Sequence, residues 1–579
     1  MGTEPANRIV ARAPRRGSYQ APMRCTSDPD DLEGYLEDAA HYPGGACERV
    51  CRVRDEADVA ELLAGATGPV LVVGAQSSLT GGATPRGGTV ISTAQMGGIK
   101  EWLDGGVRVG PGLVLAELEQ ELRARELYYP PVPTYDGATI GGTVATNAAG
   151  AATFKYGSTR DWIAAITVVL TTGDVLDIRR GAVCAGADGV FEIERAGGEV
   201  VRVEVPGYRM PEVPKRSAGY FAAPGMDLID LFIGSEGTLG VVTEIELRLV
   251  RPRPEWFAAL VPVAGDAEAL ALVADMREQS LRTRAGGDEG GLDVAAIEFL
   301  DRRCLELLAE DGARERTGIS WPPSAGAALI VQAELPAGTT RAEAFEALAG
   351  ATGRPGASGS AARAERSERD ADRASSRGGR AGTEQAEGAA SPSNDPAVRR
   401  EIVAHRLGGL VRVLEQHGVL ADVVPVLPGE TARRDALFAL REAAPEGVNR
   451  RIGEAKRAVD PSISKAGGDV IVPFDRLAEA LARYREIMTG HGLDHAIWGH
   501  ISDGNLHPNV IPRSREEMER AERAQLEIGE AAISLGGCPM SEHGVGRNPI
   551  KQELLRRLYG ESGIEEMRRV KRALDPRGV

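Results

Sequence analysis

The sequence has no long apolar run, no paired cysteine motif and no excess of positive charge, and each absence removes a class of function. A membrane-spanning helix needs roughly 18 or more consecutive, mostly apolar residues, and no stretch approaches that length. The six cysteines, Cys25, Cys47, Cys51, Cys184, Cys304 and Cys538, are scattered and include no Cys-x-x-Cys pair. That argues against an iron-sulfur cluster held within the chain and against a disulfide framework. A reducing, cytoplasmic setting is therefore expected, with a peripheral place at the inner membrane face as the alternative. A formal net charge of -16 repels phosphate backbones, which excludes nucleic acid as the main partner.

With 579 residues, 42% apolar and 26% charged, the chain is long enough for two or three domains, each burying its own core. Residues 1–25 carry Arg8, Arg12, Arg15 and Arg16 without an apolar signal segment and are expected to form a basic tail. Residues 351–395 contain no Val, Ile, Leu, Met, Phe, Trp or Tyr. Such a segment buries too little apolar surface to offset its ordering entropy, so a disordered insertion at a loop tip is expected. Elsewhere Val70–Val73 and Thr167–Leu170 read as buried strands. Leu113, Leu115, Leu118 and Leu122, and later Phe474, Leu477, Leu481, Tyr484 and Met488, recur at helical spacing. The layout predicts an α+β architecture in which an antiparallel sheet carries helices. The domain boundary is placed at 252/253, where the Gly/Thr-rich character fades, giving domains over 26–252 and 253–579.

Three glycine-rich loops lie in the first half. The first, Gly74-Ala75-Gln76-Ser77-Ser78-Leu79-Thr80-Gly81-Gly82, follows an apolar strand directly. The second is Gly137-Ala138-Thr139-Ile140-Gly141-Gly142-Thr143-Val144-Ala145-Thr146-Asn147, and the third is Ile233-Gly234-Ser235-Glu236-Gly237-Thr238-Leu239-Gly240. Small residues let backbone N–H groups converge on an anion. None has the Gly-Lys-Ser/Thr of a Walker loop or the Gly-x-Gly-x-x-Gly of a Rossmann turn. One such loop is more often a structural turn; three in one domain imply a long ligand, and FAD bound outside the Rossmann plan meets that demand.

Histidine is scarce, yet five of the eight fall between His491 and His543. Three sit in the motifs His500-Ile-Ser-Asp-Gly-Asn-Leu-His507 and Ser541-Glu542-His543-Gly544. With Asp503-Gly504 at the tip of a two-residue type I′ turn, Ile501 would pair with Leu506 and His500 would lie directly across from His507. Two opposed imidazoles and the carboxylate of Glu542 suit one divalent metal, with zinc first and iron or manganese as alternatives. The plain alternative is a pair of surface histidines beside a turn. His491 and His495 have no such pattern and read as structural.

Taken in order, Gly74–Ala83, Pro130-Pro131-Val132-Pro133-Thr134, Ala138–Asn147, Tyr156-Gly157, Ile233–Gly240, Leu440-Arg441-Glu442, His500–His507 and Glu542–Gly546 resemble one family. It comprises the FAD-linked D-2-hydroxy acid oxidases and dehydrogenases of the vanillyl-alcohol oxidase superfamily: D-lactate, glycolate and D-2-hydroxyglutarate enzymes. The resemblance implies a two-part FAD-binding domain followed by a cap domain with an antiparallel sheet. It implies cofactor contacts along Gly74–Gly82 and at Pro133, Thr134, Ala138, Thr139, Gly141, Gly142, Ala145, Thr146, Tyr156, Glu236, Gly237, Thr238 and Val241. No histidine lies in these loops, so noncovalent FAD is expected. One departure is Ser502, which stands where relatives often have glycine and requires a negative φ there.

The chemistry expected of this set is oxidation of a 2-hydroxy acid. The metal acidifies the hydroxyl, His543 acts as general base, and Arg441 clamps the carboxylate with Lys465 as a second candidate. Arg441 could instead be a helix-face arginine paired with Glu442 or Glu446, and Lys465 a surface loop residue. Tyr135, Tyr156 and Tyr220 could stack on flavin or simply pack. The electron acceptor is left open among quinone, cytochrome, partner flavoprotein and oxygen, and a homodimer is left open as well. Two competing readings are an alkylglycerone-phosphate synthase-like FAD transferase and a noncatalytic flavoprotein subunit.

Overall fold

The computed structural model describes residues 6–17, 23–131, 133–353 and 395–579. Most of the segment expected to be a disordered insertion lies outside the described residues. Its first residue, Ala351, ends the helix Arg341–Ala351, and its last, Asp395, caps the helix Pro396–Gln416 by accepting a hydrogen bond from the Ala397 amide. Two compact units are present, one formed by residues 1–253 together with 446–579 and the other by 254–445. The chain therefore leaves the first unit one residue after the expected boundary and, unlike the expected division, returns to it at Glu446. Apolar burial near the C-terminus accounts for the return. The last helix, Pro549–Leu574, buries Val570 and Leu574 in the same core as Leu228, Ile229 and Phe232, and the Arg577 guanidinium donates to the carbonyls of Leu63, Ala64 and Thr171.

The first unit begins with a four-stranded sheet in the order Arg24–Thr26, Arg49–Arg52, Thr89–Ser92, Val70–Val73, whose last three strands are parallel. Asp55 caps the helix Glu56–Ala64 by accepting from the Asp58 amide, and Val59, Leu62 and Leu63 pack on Cys51 and Ile91. The strand Val70–Val73 delivers the chain straight into the first glycine-rich loop. A five-stranded antiparallel sheet follows in the order Ile99–Leu103, Gly106–Val109, Val241–Arg248, Ile163–Val169, Val175–Arg179. The helix Leu115–Arg123 buries Leu115, Leu118 and Leu122 in the core beside it, with Leu113 just ahead of the helix.

Two expectations fail here for identifiable reasons. Residues 8–10 are a strand, parallel to Val190–Glu194, and not part of a free tail. Arg8 pairs with Glu194 at 2.6 Å, and Arg12 is held between Glu56 at 2.5 Å and Asp177 at 2.6 Å, so the arginines that looked like a solvated run are anchors. Cys25 and Cys51, 26 residues apart in sequence, form a disulfide because their strands pair antiparallel with these two residues directly opposed. Cys47, Cys184, Cys304 and Cys538 are free thiols.

The rest of the first unit holds the antiparallel strands His495–His500 and Asn505–Val510, with the short strands Ala466–Gly467 and Val470–Ile471 on the far side of the latter. The helix Leu477–Gly490 buries Leu477, Leu481, Tyr484 and Met488, the periodic residues of the sequence, while Phe474 falls in the 3-10 turn before it.

In the second unit, an antiparallel sheet runs in the order Val424–Val426, Glu255–Val263, Ala327–Leu335, Val294–Asp301, with the helices Asp266–Gly286, Arg302–Glu310 and Pro396–Gln416. All nine residues of Ala327–Leu335 are buried, the signature of a central strand. Both units thus combine helices with antiparallel sheet, as the α+β reading requires. Among the described residues, no helix is long and apolar enough to cross a membrane.

Candidate active site

The chain between the two histidine strands does not make the two-residue turn expected of Asp-Gly. Trp498, not His500, lies opposite His507, and a 3-10 turn over Ile501–Asp503 ends on Gly504 at φ 89°. The Asp503 carboxylate accepts from the Asn505 amide, which closes a longer connection than the type I′ turn. Ser502 lies in that turn, fully buried, and is not among the residues with positive φ, so it needs no glycine. Because His500 is two residues beyond Trp498, it keeps the face of His507, and the two rings still meet with centroids 5.7 Å apart.

Glu542 completes the group. His500 Nε2 is 3.4 Å from its Oε1, and His507 Nε2 is 3.8 Å from its Oε2. One ligand atom from each of the three lies within 4.8 Å of the others. Burial drives His507 down to about 3, against the pull of Asp469 and Glu542, so this imidazole is neutral with a lone pair to offer. Burial works the other way on Glu542, but the Lys215 ammonium and His500 outweigh it and hold the carboxyl well below its ordinary range. Glu542 Oε1 meets the Lys215 ammonium at 2.7 Å, which leaves Oε2 as the oxygen turned toward His507. Two imidazoles and a carboxylate facing them fit a divalent cation.

A second cluster, Asp469, His507 and His543, is equally compact but saturated. The Asp469 carboxylate accepts from the Ser541 hydroxyl, from the Glu542 amide at 3.0 Å and from the His543 amide at 2.8 Å. It also faces His507 Nδ1 at 3.7 Å and His543 Nδ1 at 3.4 Å. Burial opposes its charge, but His543 and Lys551 keep it ionised, below the ordinary carboxylate range. Asp469 thus orients two imidazoles, leaving His507 Nε2 toward Glu542 and His543 Nε2 uncommitted. Burial also lowers His543, partly offset by Asp469, so the ring is neutral and can accept a proton.

The sequence reading missed Asp469 and Lys215. Asp469 closes a segment singled out only for its lysine, and Lys215 sits in Val213-Pro214-Lys215-Arg216-Ser217, where nothing marks it as buried. Although Lys465 is exposed, desolvation of its ammonium and, less, the Lys551 charge lower it. In the second unit, Arg441, on the helix Thr431–Ala458, pairs with Glu298 at 3.1 Å.

The three glycine-rich loops converge on one cleft. Its walls include Gly74 from the first loop, Gly141, Gly142 and Ala145 from the second, Glu236 and Gly237 from the third, and Val241 just after it. Thr93, Pro111, Phe232, Ser235 and Gly240 line it too and were not anticipated. At Gly141 a Cβ would come within 2.7 Å of Pro111 Cβ, so only a bare backbone fits against that wall. Thr139 caps the helix Ile140–Thr146, accepting from the Gly142 amide, and directs that helix N-terminus along the cleft residues Gly141 and Gly142. The walls are mainly apolar or backbone and fit a flat ligand of flavin type.

Other predicted contacts are occupied differently. The Gln76 amide donates to the carbonyls of Tyr35 and Glu37, Ser78 Oγ accepts from the Thr80 and Gly82 amides, and Thr146 Oγ1 donates to the Gly142 carbonyl. Thr238 donates to the Ser235 carbonyl and meets Tyr220, the Ala138 carbonyl accepts from Leu115, and Tyr156 packs edge-on against Tyr128 and Trp162. Ala75, Ser77, Leu79, Thr80, Gly81, Gly82, Pro133 and Thr134 are not among the residues lining the cleft. Glu236 joins cleft to histidine cluster: it lines the cleft, and its carboxylate accepts from the amides of Val545 at 2.9 Å and Gly546 at 2.8 Å.

Comparison with known proteins points to flavin-binding domains. Residues 47–179 match the FAD binding domain family, and residues 391–579 match the family described as FAD linked oxidases, C-terminal domain. Glycolate oxidase subunit GlcD of Bacillus subtilis (strain 168) is 28% identical over 517 residues, covering 88% of this chain and 82% of the relative. D-lactate dehydrogenase of Archaeoglobus fulgidus is 24% identical over 517 residues, covering 88% and 84%. Mitochondrial D-2-hydroxyglutarate dehydrogenase of Bos taurus is 27% identical over 571 residues, covering 96% and 80%. Among solved structures, an alkyldihydroxyacetonephosphate synthase superposes with a TM-score of 0.56 at 14% identity, covering 96% of this chain and 81% of that one. This last likeness speaks to the fold alone.

Proposed function

We propose that this chain, which matches two domains of the FAD-linked oxidases, oxidises a D-2-hydroxy acid of the D-lactate, glycolate or D-2-hydroxyglutarate class to the 2-oxo acid. The observation that carries the reading is the Glu236 bridge, which ties the wall of the cleft to the loop bearing Glu542 and His543. When bound, noncovalent FAD supplies the hydride acceptor, and a divalent cation held by His500, His507 and Glu542 supplies charge that acidifies a substrate hydroxyl. Zinc suits that donor set first, with iron and manganese as alternatives.

The chain's own residues then have distinct tasks. His543 takes the hydroxyl proton on Nε2, and the Asp469 carboxylate beside Nδ1 stabilises the imidazolium that results. By the family resemblance Arg441 is assigned to the substrate carboxylate, with Lys465 as a second cation for the same anion. The electrons pass on to a quinone, cytochrome, partner flavoprotein or oxygen. Anaerobic addition of D-lactate, glycolate and D-2-hydroxyglutarate to the flavin-loaded protein is expected to bleach the oxidised flavin with at least one of them. Failure with all three, alongside retained FAD, favours a transferase of the synthase type or a noncatalytic flavoprotein subunit.

A further inference from the structure

Lys215 is fully buried, and its Nζ sits among three oxygens: Glu542 Oε1 at 2.7 Å, Asp503 Oδ2 at 2.9 Å and Asn505 Oδ1 at 3.3 Å. These three come from two separate segments, the connection between the histidine strands and the loop bearing Glu542. The lysine has no route to water, so its stem cannot swing away and take the charge with it. Its backbone is fixed as well. Two residues on, Ser217 donates its amide to the Met540 carbonyl at 3.1 Å and its hydroxyl to the Thr146 carbonyl at 3.2 Å.

A buried ion pair contributes little net stability over apolar residues of the same volume, so the effect of this ammonium is chiefly geometric. We propose that Lys215 is a positioning residue for the cation ligand Glu542, holding Oε1 so that Oε2 stays turned toward His507. The inference rests on the reading that His500, His507 and Glu542 hold a divalent cation. Charge complementarity supports it, because the ammonium lies between the Asp503 and Glu542 carboxylates. Without Lys215 the Asp503 and Glu542 carboxylates would lose the cation between them, and Glu542 Oε1 would lose the contact that fixes it. Outer partners of this kind usually govern metal affinity by about 10–100-fold.

The test is Lys215→Met in the full, FAD-loaded protein, with zinc or manganese affinity measured by chelator competition. Binding about 10–100-fold weaker than wild type is expected, with the flavin absorption spectrum unchanged. The visible absorption of the Co(II)-loaded variant should also change in shape and intensity, because the carboxylate binding mode changes; a merely structural defect elsewhere would leave that band alone. If Lys215→Met does not fold, the double variant Lys215→Met/Asp503→Asn removes the ammonium together with its buried partner, and the same loss of affinity is expected of it. Affinity equal to wild type, with an unaltered Co(II) spectrum, overturns the proposal alone. A wild-type protein that takes up neither zinc nor manganese overturns the underlying reading of the site and this inference with it.

Discussion

Replacing Asp469 with asparagine separates its orienting role from its charge. In Asp469→Asn the amide oxygen can occupy the place of Oδ2 and keep the Glu542 and His543 amides, while the NH2 group faces the Ser541 hydroxyl, which can rotate to accept. The loop therefore keeps its shape. What is lost is the negative charge 3.4 Å from His543 Nδ1, where the ring becomes cationic as it takes a proton. An interaction with a charged partner is worth about 1.5–3 kcal/mol, which at about 1.4 kcal/mol per tenfold is a slowing of roughly 10–150-fold. Stopped-flow reduction of the flavin under anaerobic conditions measures it directly. The acid limb should also move to lower pH, because Asp469 is the group that raises His543 against burial. A reduction rate within about threefold of wild type, with the same pH profile, would refute the reasoning.

Glu236→Gln leaves one of the two amides at Val545 and Gly546 facing an NH2 group, and the loop should lose about 1–3 kcal/mol. Urea unfolding of the FAD-loaded variant checks this, and an unchanged midpoint would contradict the bridge. Metal-free protein should weaken in acid through His507. Its folded pKa of about 3 lies below the usual 6.5, so the unfolded chain binds the extra proton between those values and stability falls as pH drops through that window. The loss at the acid end is on the order of 4 kcal/mol, read from thermal melts of chelator-treated protein between pH 7 and 4. A flat profile would contradict the neutral, buried state of His507.

The candidate site was legible where residue type alone is informative. Histidine is rare in this chain, so His500, His507 and His543 stood out, and glycine-rich loops after apolar strands pointed to a common ligand. Register was not legible, because the Asx interaction of Asp503 and its ion pair with Lys215 determine a longer turn than the Asp-Gly pair prefers. Asp469 and Lys215 were hidden because a single acid after two glycines, or a lysine after proline, has the composition of an ordinary surface turn. The same holds for Arg8 and Arg12, whose acidic partners lie more than 40 residues away, and for Cys25 and Cys51, which only antiparallel pairing brings together. In the first loop, Gln76 and Ser78 were expected to serve a ligand, but neighbouring backbone groups take up their side chains.

The most direct test of the account is metal content measured together with flavin reduction in wild type, His500→Ala and Glu542→Ala. The account predicts about one divalent cation per FAD in the wild type, and both variants lacking metal and failing to bleach with a substrate that bleaches the wild type. Full metal occupancy and full reduction rate in either variant would contradict it.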